Sequence, residues 1–139
     1  MKYRRLTQEE LREVEQEFIQ YLAGEGIPSE EWAQMLVLQE GIDDHLDAFS
    51  ELFFDRATGA IEFLERENEG ETWLFRFGET NADLIRLMPN DSGQFRISGT
   101  GQKSYEPEAR GREIFLLLEQ GACPCDGERF LKAQSANPC

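Results

Sequence analysis

The stretch from Ala60 to Met88 constrains the fold more than any other part of the chain. It reads IEFLERE, NEGE, TWLFRFG-ETN and ADLIRLM in succession, three runs of strand composition parted by two connectors of turn residues. Trp73, Phe75 and Phe77 stand at period two and project to one face of a strand, with Thr72, Leu74 and Arg76 on the other. Aromatic and β-branched side chains suit such a pleated, half-buried surface. Ile61 and Phe63 alternate with Glu62 and Leu64 in the run before. Leu84, Ile85, Leu87 and Met88 make the third run more continuous, as a central or doubly covered strand requires. Asn68-Glu69-Gly70 offers the positive φ that a short hairpin loop needs, and Gly78 and Asn81 bracket the second connector. An antiparallel meander follows, with Gln94–Ser98 as a fourth strand.

Helices are expected on either side. Thr7-Gln8-Glu9-Glu10 is a capping box opening a helix with Leu11, Val14, Phe18, Tyr21 and Leu22 on one face and Gly24 at its end. Ser29 is read as the N-cap of a second helix carrying Trp32, Met35 and Leu36. Asp43 or Asp44 caps a third, with Leu46, Phe49, Leu52 and Phe53 on one side and Thr58-Gly59 at its end. Beyond the meander, Gly99 to Pro107 reads as a polar loop, and Glu106-Pro107 starts a helix with the face Ile114, Phe115, Leu117 and Leu118. Cys123-Pro124-Cys125 reads as a linker to a last short helix capped by Asp126 and carrying Phe130 and Leu131. The expectation is an α+β fold with three N-terminal helices, an antiparallel three- to four-stranded meander and one or two C-terminal helices. Residues 1–134 form a single domain in this reading, and 135–139 a frayed tail.

Charge narrows the function classes. Acidic residues number 28 against 14 basic, a net charge of −14. Such a balance argues against direct binding to nucleic acid or to an anionic membrane. It also weakens a base-stacking role for the Trp73, Phe75 and Phe77 row, because stacking platforms for single strands sit in basic grooves. The N-terminal residues hold no apolar core of a signal peptide, and no run approaches membrane-spanning length. Three cysteines, an odd number, fit a reducing compartment. A cytoplasmic bacterial location is the expectation.

Four groups of residues invite a chemical reading. Ser98-Gly99-Thr100-Gly101-Gln102-Lys103-Ser104 follows a strand-like run and ends in Lys-Ser, but its glycine spacing departs from the phosphate-binding loop and Gln102 stands where that motif has glycine. Arg96, Gly99, Gly101, Lys103 and Ser104 are its candidate ligand residues, and a site there would be a concave pocket containing Arg96 or Lys103. Cys123 and Cys125 with Cys139 and His45 supply zinc-type donors, yet their spacing is not that of a zinc module, and no metal or other cofactor is assigned. His45 beside Asp43, Asp44 and Asp47 has the composition of a base with carboxylates, without a nucleophile partner. Glu62, Glu65, Glu67, Glu69 and Glu71 crowd the first hairpin, either as a solvated edge that resists sheet pairing or as an acidic docking surface for a basic protein.

Met1-Lys2-Tyr3-Arg4-Arg5-Leu6-Thr7, the Glu-rich helix with Phe18, and Gly26-Ile27-Pro28 with Trp32 resemble the opening of a family of short acidic bacterial proteins, a domain of unknown function found mainly in the Bacteroidetes. Ile114-Phe115-Leu116-Leu117-Leu118-Glu119-Gln120-Gly121-Ala122 and Asp126-Gly127-Glu128 are similar to its C-terminal end. The Cys-Pro-Cys segment and Cys139 fall outside that pattern. The resemblance implies no activity. From the residues, the leading expectation is a protein-interaction or regulatory module without catalysis. The alternative is a small enzyme or an anion- or nucleotide-binding domain built on Gly99–Ser104. Self-association through a sheet edge or an apolar helix face is left open.

Overall fold

The computed structural model describes residues 3–136, and the chain divides into two compact units, Met1–Arg56 and Ala57–Cys139. The first holds helices α1 (Gln8–Glu13), α2 (Glu15–Gly24) and α3 (Ser29–Leu38) and most of α4 (Ile42–Gly59). The capping box forms as expected: the Thr7 hydroxyl accepts from the Glu10 amide at 3.2 Å, and the Glu10 carboxylate accepts from the Thr7 amide at 2.9 Å. Arg4 donates twice to the same carboxylate, at 2.6 and 2.9 Å, and with the Thr7 amide holds it down at a pKa of about 2. The expected single first helix is two, because Val14 leaves helical geometry at φ −114° and ψ 29°. The left-handed residue that ends α2 is Gly26 at φ +79°, not Gly24. The Ile27 amide reaches back to Leu22 and the Gly26 amide to Ala23, so two carbonyls that the helix end would orphan are satisfied. Ser29 is the first residue of α3, and Pro28 takes the cap position without a side-chain bond.

Phe18, Leu22, Phe49 and Phe54 are buried in this unit with Tyr3 and Leu6. Phe18 meets Trp32 edge-on at 5.2 Å and Phe49 at 5.0 Å. The buried Ser50 hydroxyl accepts from the Leu6 amide at 2.9 Å, which seats the N-terminal segment on α4. Asp43 and Asp44 lie inside the first turn of α4 rather than capping it. Asp43 and Asp47 are instead engaged by Arg5, at 3.2 and 2.7 Å.

The second unit is built on a sheet of five strands, one more than the upper expectation. They are β1 (Phe63–Asn68), β2 (Glu71–Phe77), β3 (Asn81–Pro89), β4 (Phe95–Ser104) and β5 (Cys123–Cys125), in the order β4-β3-β2-β1-β5 with every pairing antiparallel. A 3-10 turn at Pro107–Ala109 leads into α5 (Arg110–Glu119), and α6 (Glu128–Ala136) follows β5. Two expectations are corrected here. The Cys-Pro-Cys linker is an edge strand on β1, a place where proline's missing donor does no harm. Gly99–Ser104, expected as loop, is the second half of β4.

Both faces of the sheet are covered. Leu64, Phe75, Phe77 and Ala82 pack with Ile114 of α5, and Trp73 joins them, as the period-two reading required. Phe63, Leu74, Ile85 and Leu87 pack with Phe130 of α6. α6 approaches so closely that a Cβ at Gly127, φ +80°, would stand 2.4 Å from the Phe63 ring. The first hairpin turns through Glu69 and Gly70, both at positive φ (48° and 85°), as a two-residue primed turn demands.

Arg110 fastens the unit's ends. Its guanidinium donates to four main-chain carbonyls: Gly78 at 3.1 Å, Thr58 at 3.2 Å, Ile61 at 2.5 Å and Phe77 at 3.2 Å. Tyr105 adds its hydroxyl to Gly78 and Asn81 at the same turn.

Two substitutions test these assignments by urea denaturation. Glu69→Asn relieves a non-glycine residue at positive φ and raises stability by about 1 kcal/mol; an unchanged or lower midpoint would contradict the turn assignment. Arg110→Lys leaves a three-donor ammonium facing four carbonyls and lowers stability by about 2 kcal/mol or more. A loss within error of zero would show that water satisfies those carbonyls equally well.

Candidate functional site

β4 brings the candidate ligand residues together in an arrangement different from a loop. Gly99 pairs with Arg86, Gly101 with Leu84 and Lys103 with Ala82. A Cβ at Gly99 would meet the Arg86 side chain and one at Gly101 the Leu84 side chain, while Lys103 reaches Glu113 of α5 at 2.7 Å. Gly99, Gly101 and Lys103 therefore face α5, as does Arg96, whose guanidinium lies 3.9 Å from the Met88 sulfur. Ser104 points to the opposite face by strand alternation. In an extended strand successive amides point to alternate edges, so they cannot converge on a phosphate as a nest of loop amides does.

The strand is interrupted by a bulge that the sequence did not announce. Leu87 pairs with Ile97 and Arg86 with Gly99, leaving Ser98 as the extra residue. The bulge aims the Ser98 hydroxyl at Glu71, 2.7 Å away, and Arg86 donates to the other oxygen of that carboxylate at 2.7 Å. The Arg86 guanidinium also lies over the Trp73 ring at 5.1 Å. Arg86 and Ser98 hold the Glu71 carboxyl below its ordinary range. Arg86 Nε and Trp73 Nε1 are buried there without a hydrogen bond of good geometry. The indole still lies close enough to favour the carboxylate's charged form.

The five glutamates of the first hairpin do not share one face. Glu62 pairs with Arg76 at 3.1 Å, Glu65 with Arg129 at 3.4 Å, and Glu67 accepts from the Thr72 hydroxyl at 2.9 Å. Glu71 belongs to the network with Arg86, and Glu69 occupies the turn. Four of the five thus have local partners, and the three paired with arginine, Glu62, Glu65 and Glu71, present less charge outward.

His45 lies against the rings of Tyr21 and Trp32, with centroids 6.5 and 6.2 Å away, and among the described residues none of Asp43, Asp44 and Asp47 hydrogen-bonds it. Cys123 is exposed and Cys125 half-buried, both in β5, and Cys139 lies outside the described residues. Burial pushes the Cys125 thiol up, the opposite of what a reactive thiolate requires. Among the described residues no group of three His, Cys, Asp or Glu side chains is placed to hold a metal, and no helix is long and apolar enough to cross a membrane.

Two surface features were missed in the sequence. The end of α3 carries Leu36, Val37 and Leu38, all exposed, with Val37 at 83%. The other is a groove between β4 and α6. Leu87, Phe95 and Ile97 line it from the sheet, and Arg129, Lys132 and Ala133 from the helix; it encloses about 500 Å³. The alternation Phe95, Arg96, Ile97 was visible, but nothing local indicated that α6 would stand opposite.

The Glu71 network gives a direct test. A carboxyl-carbon NMR titration places Glu71 below the usual glutamate range, and Ser98→Ala or Arg86→Lys moves it upward. The contribution of this group to stability is full above the unfolded-state pKa and is lost as pH falls through the lower folded-state value. An unshifted Glu71, or one indifferent to both substitutions, would break the assignment.

No curated protein and no solved structure matches the chain. A family model of unknown function matches residues 1–99, which takes in the first unit, β1 to β3 and the start of β4. That span is well over half of the 139 residues, and the chain belongs to the DUF6495 family.

Proposed function

We propose that this protein is a non-catalytic interaction module that captures an extended segment of another protein along the outer edge of β4. The observation that carries the reading is the contrast between the two edges of the sheet. Natural sheets protect their edges by shortness, proline, charge, bulges or a covering element, and of these β4 has the bulge at Ser98 and cationic residues toward its two ends. β5 has three residues with a proline at its centre. β4 has ten, contains no proline and carries no charge from Ile97 to Gln102. Its regular pairing continues from Gly99 to Ser104 beyond the bulge, and Phe95, Arg96, Thr100, Gln102, Lys103 and Ser104 are exposed. An unpaired row of main-chain donors and acceptors is the template for strand addition.

Charge favours a different protein over a second copy. Self-pairing would join two chains of net charge −14. Residues 92–104 contain no acidic residue, and the exposed Arg96 stands at one end of the uncharged centre, while Lys103 at the other is paired with Glu113. The edge therefore suits an acidic segment, whereas the glutamates of the first hairpin, tied to local partners, are a weaker surface for a basic one.

Photocrosslinking in the native host tests this reading. A benzophenone side chain at Thr100, on the β4 edge, is expected to yield an adduct with an extended segment of another protein, while the same group at Glu79 in the β2–β3 turn does not. Equal adducts at both positions, none at either, or an adduct only with a second copy would overturn the proposal.

A further inference from the structure

We infer that the groove between β4 and α6 is a side-chain pocket for the captured segment, and that it selects an apolar residue with an acidic residue or a terminal carboxylate beside it. The inference rests on strand capture by β4 and specifies what is captured. A strand added to β4 runs directly past the groove, because Phe95 and Ile97 belong at once to the edge strand and to the groove's lining. Strand addition supplies affinity through main-chain bonds, and pockets for alternate side chains supply selection.

The chemistry of the lining defines the occupant. Leu87, Ile97, Phe95 and Ala133 make an apolar surface, and Phe95 is left 55% exposed although its ring lies under the Arg129 guanidinium at 5.5 Å. Both charged residues of the lining are cationic and stand on one helix. Arg129 is shared with Glu65 at 3.4 Å. Lys132 is exposed and forms no ion pair with any described residue. An apolar pocket with a free ammonium at its rim, in a chain with twice as many acids as bases, is matched by an apolar side chain next to a carboxylate.

The groove has a direction. Beyond Ile97 the space between the same strand and helix is lined by Thr100, Gln102, Gln134 and Asp83 over a floor that includes Ile85 and Phe130, and Gln102 donates to Asp83 at 2.8 Å. That half is the more polar of the two and carries the acid. The apolar residue and its carboxylate therefore seat at the Phe95 end, and uncharged polar residues lie along the Gln102 end.

The test is a random 12-residue peptide library displayed on phage and selected on the whole protein, with binders then followed by amide NMR. The expected binders pair a large apolar residue with Asp, Glu or a C-terminal carboxylate within two residues, and perturb the β4 amides. Lys132→Glu should weaken them about tenfold or more, with the amide spectrum of the free protein otherwise preserved. Arg112→Glu, exposed on α5 across the sheet, should change affinity less than about twofold. Binders that perturb β4 but lack the apolar–acidic pair, or that tolerate Lys132→Glu, overturn the pocket while leaving strand capture standing. A library that yields no peptide perturbing β4 removes strand capture, and the pocket with it.

Discussion

Much of the second unit depends on one guanidinium. The segment entering β1, the end of β2 and the turn after it all present carbonyls that the sheet ladder does not reach. Unpaired carbonyls cost free energy wherever water is excluded, so these ends need donors. Arg110 provides them to Thr58, Ile61, Phe77 and Gly78 from the first residue of α5. A planar fork of five donors can serve several acceptors at once, which a lysine cannot do. The same contacts fix where α5 starts, and hence which face of the sheet Ile114 covers.

α5 lies on one face of the sheet and α6 on the other. Phe63 and Phe130 meet at 5.9 Å, and the approach of Gly127 to the Phe63 ring leaves no space for a side chain at that turn. What remains open is lateral. β1 is flanked by β2 and by β5, while β4 ends the sheet with no strand beyond it. The groove beside that edge lies where α6, packed on β2 and β3, stands next to β4.

The Glu71, Arg86 and Ser98 network joins β2, β3 and β4 under that edge. It keeps a bulge in register through side-chain bonds, and the Arg86 ring contact places Trp73 beneath it. A bulge that bends an edge strand and is held from below gives the strand one defined shape. In the strand capture proposed above, the edge would be ordered on folding and not again on binding.

Local signals in the sequence were enough for the meander, the Thr7 capping box, the Glu69-Gly70 turn and the face on which Trp73, Phe75 and Phe77 lie. Each depends on side-chain alternation, cap chemistry or positive φ, which are properties of neighbouring residues. The apolar pattern runs through Val14 without a sign of the break there, and Gly24 carries the same local signal as Gly26, the glycine that takes the positive φ. Gly99–Ser104 and Cys123–Cys125 were legible only as irregular chain, because Gly and Pro have poor strand propensity and it was β3 and β1 that made strands of them. The bulge at Ser98, the four carbonyls around Arg110, the locally paired glutamates and the groove under Phe95 were decided by tertiary structure. Apart from the Glu67–Thr72 contact across the first hairpin, they join residues distant in sequence or depend on which face a strand turns to a helix, and no local pattern encodes that.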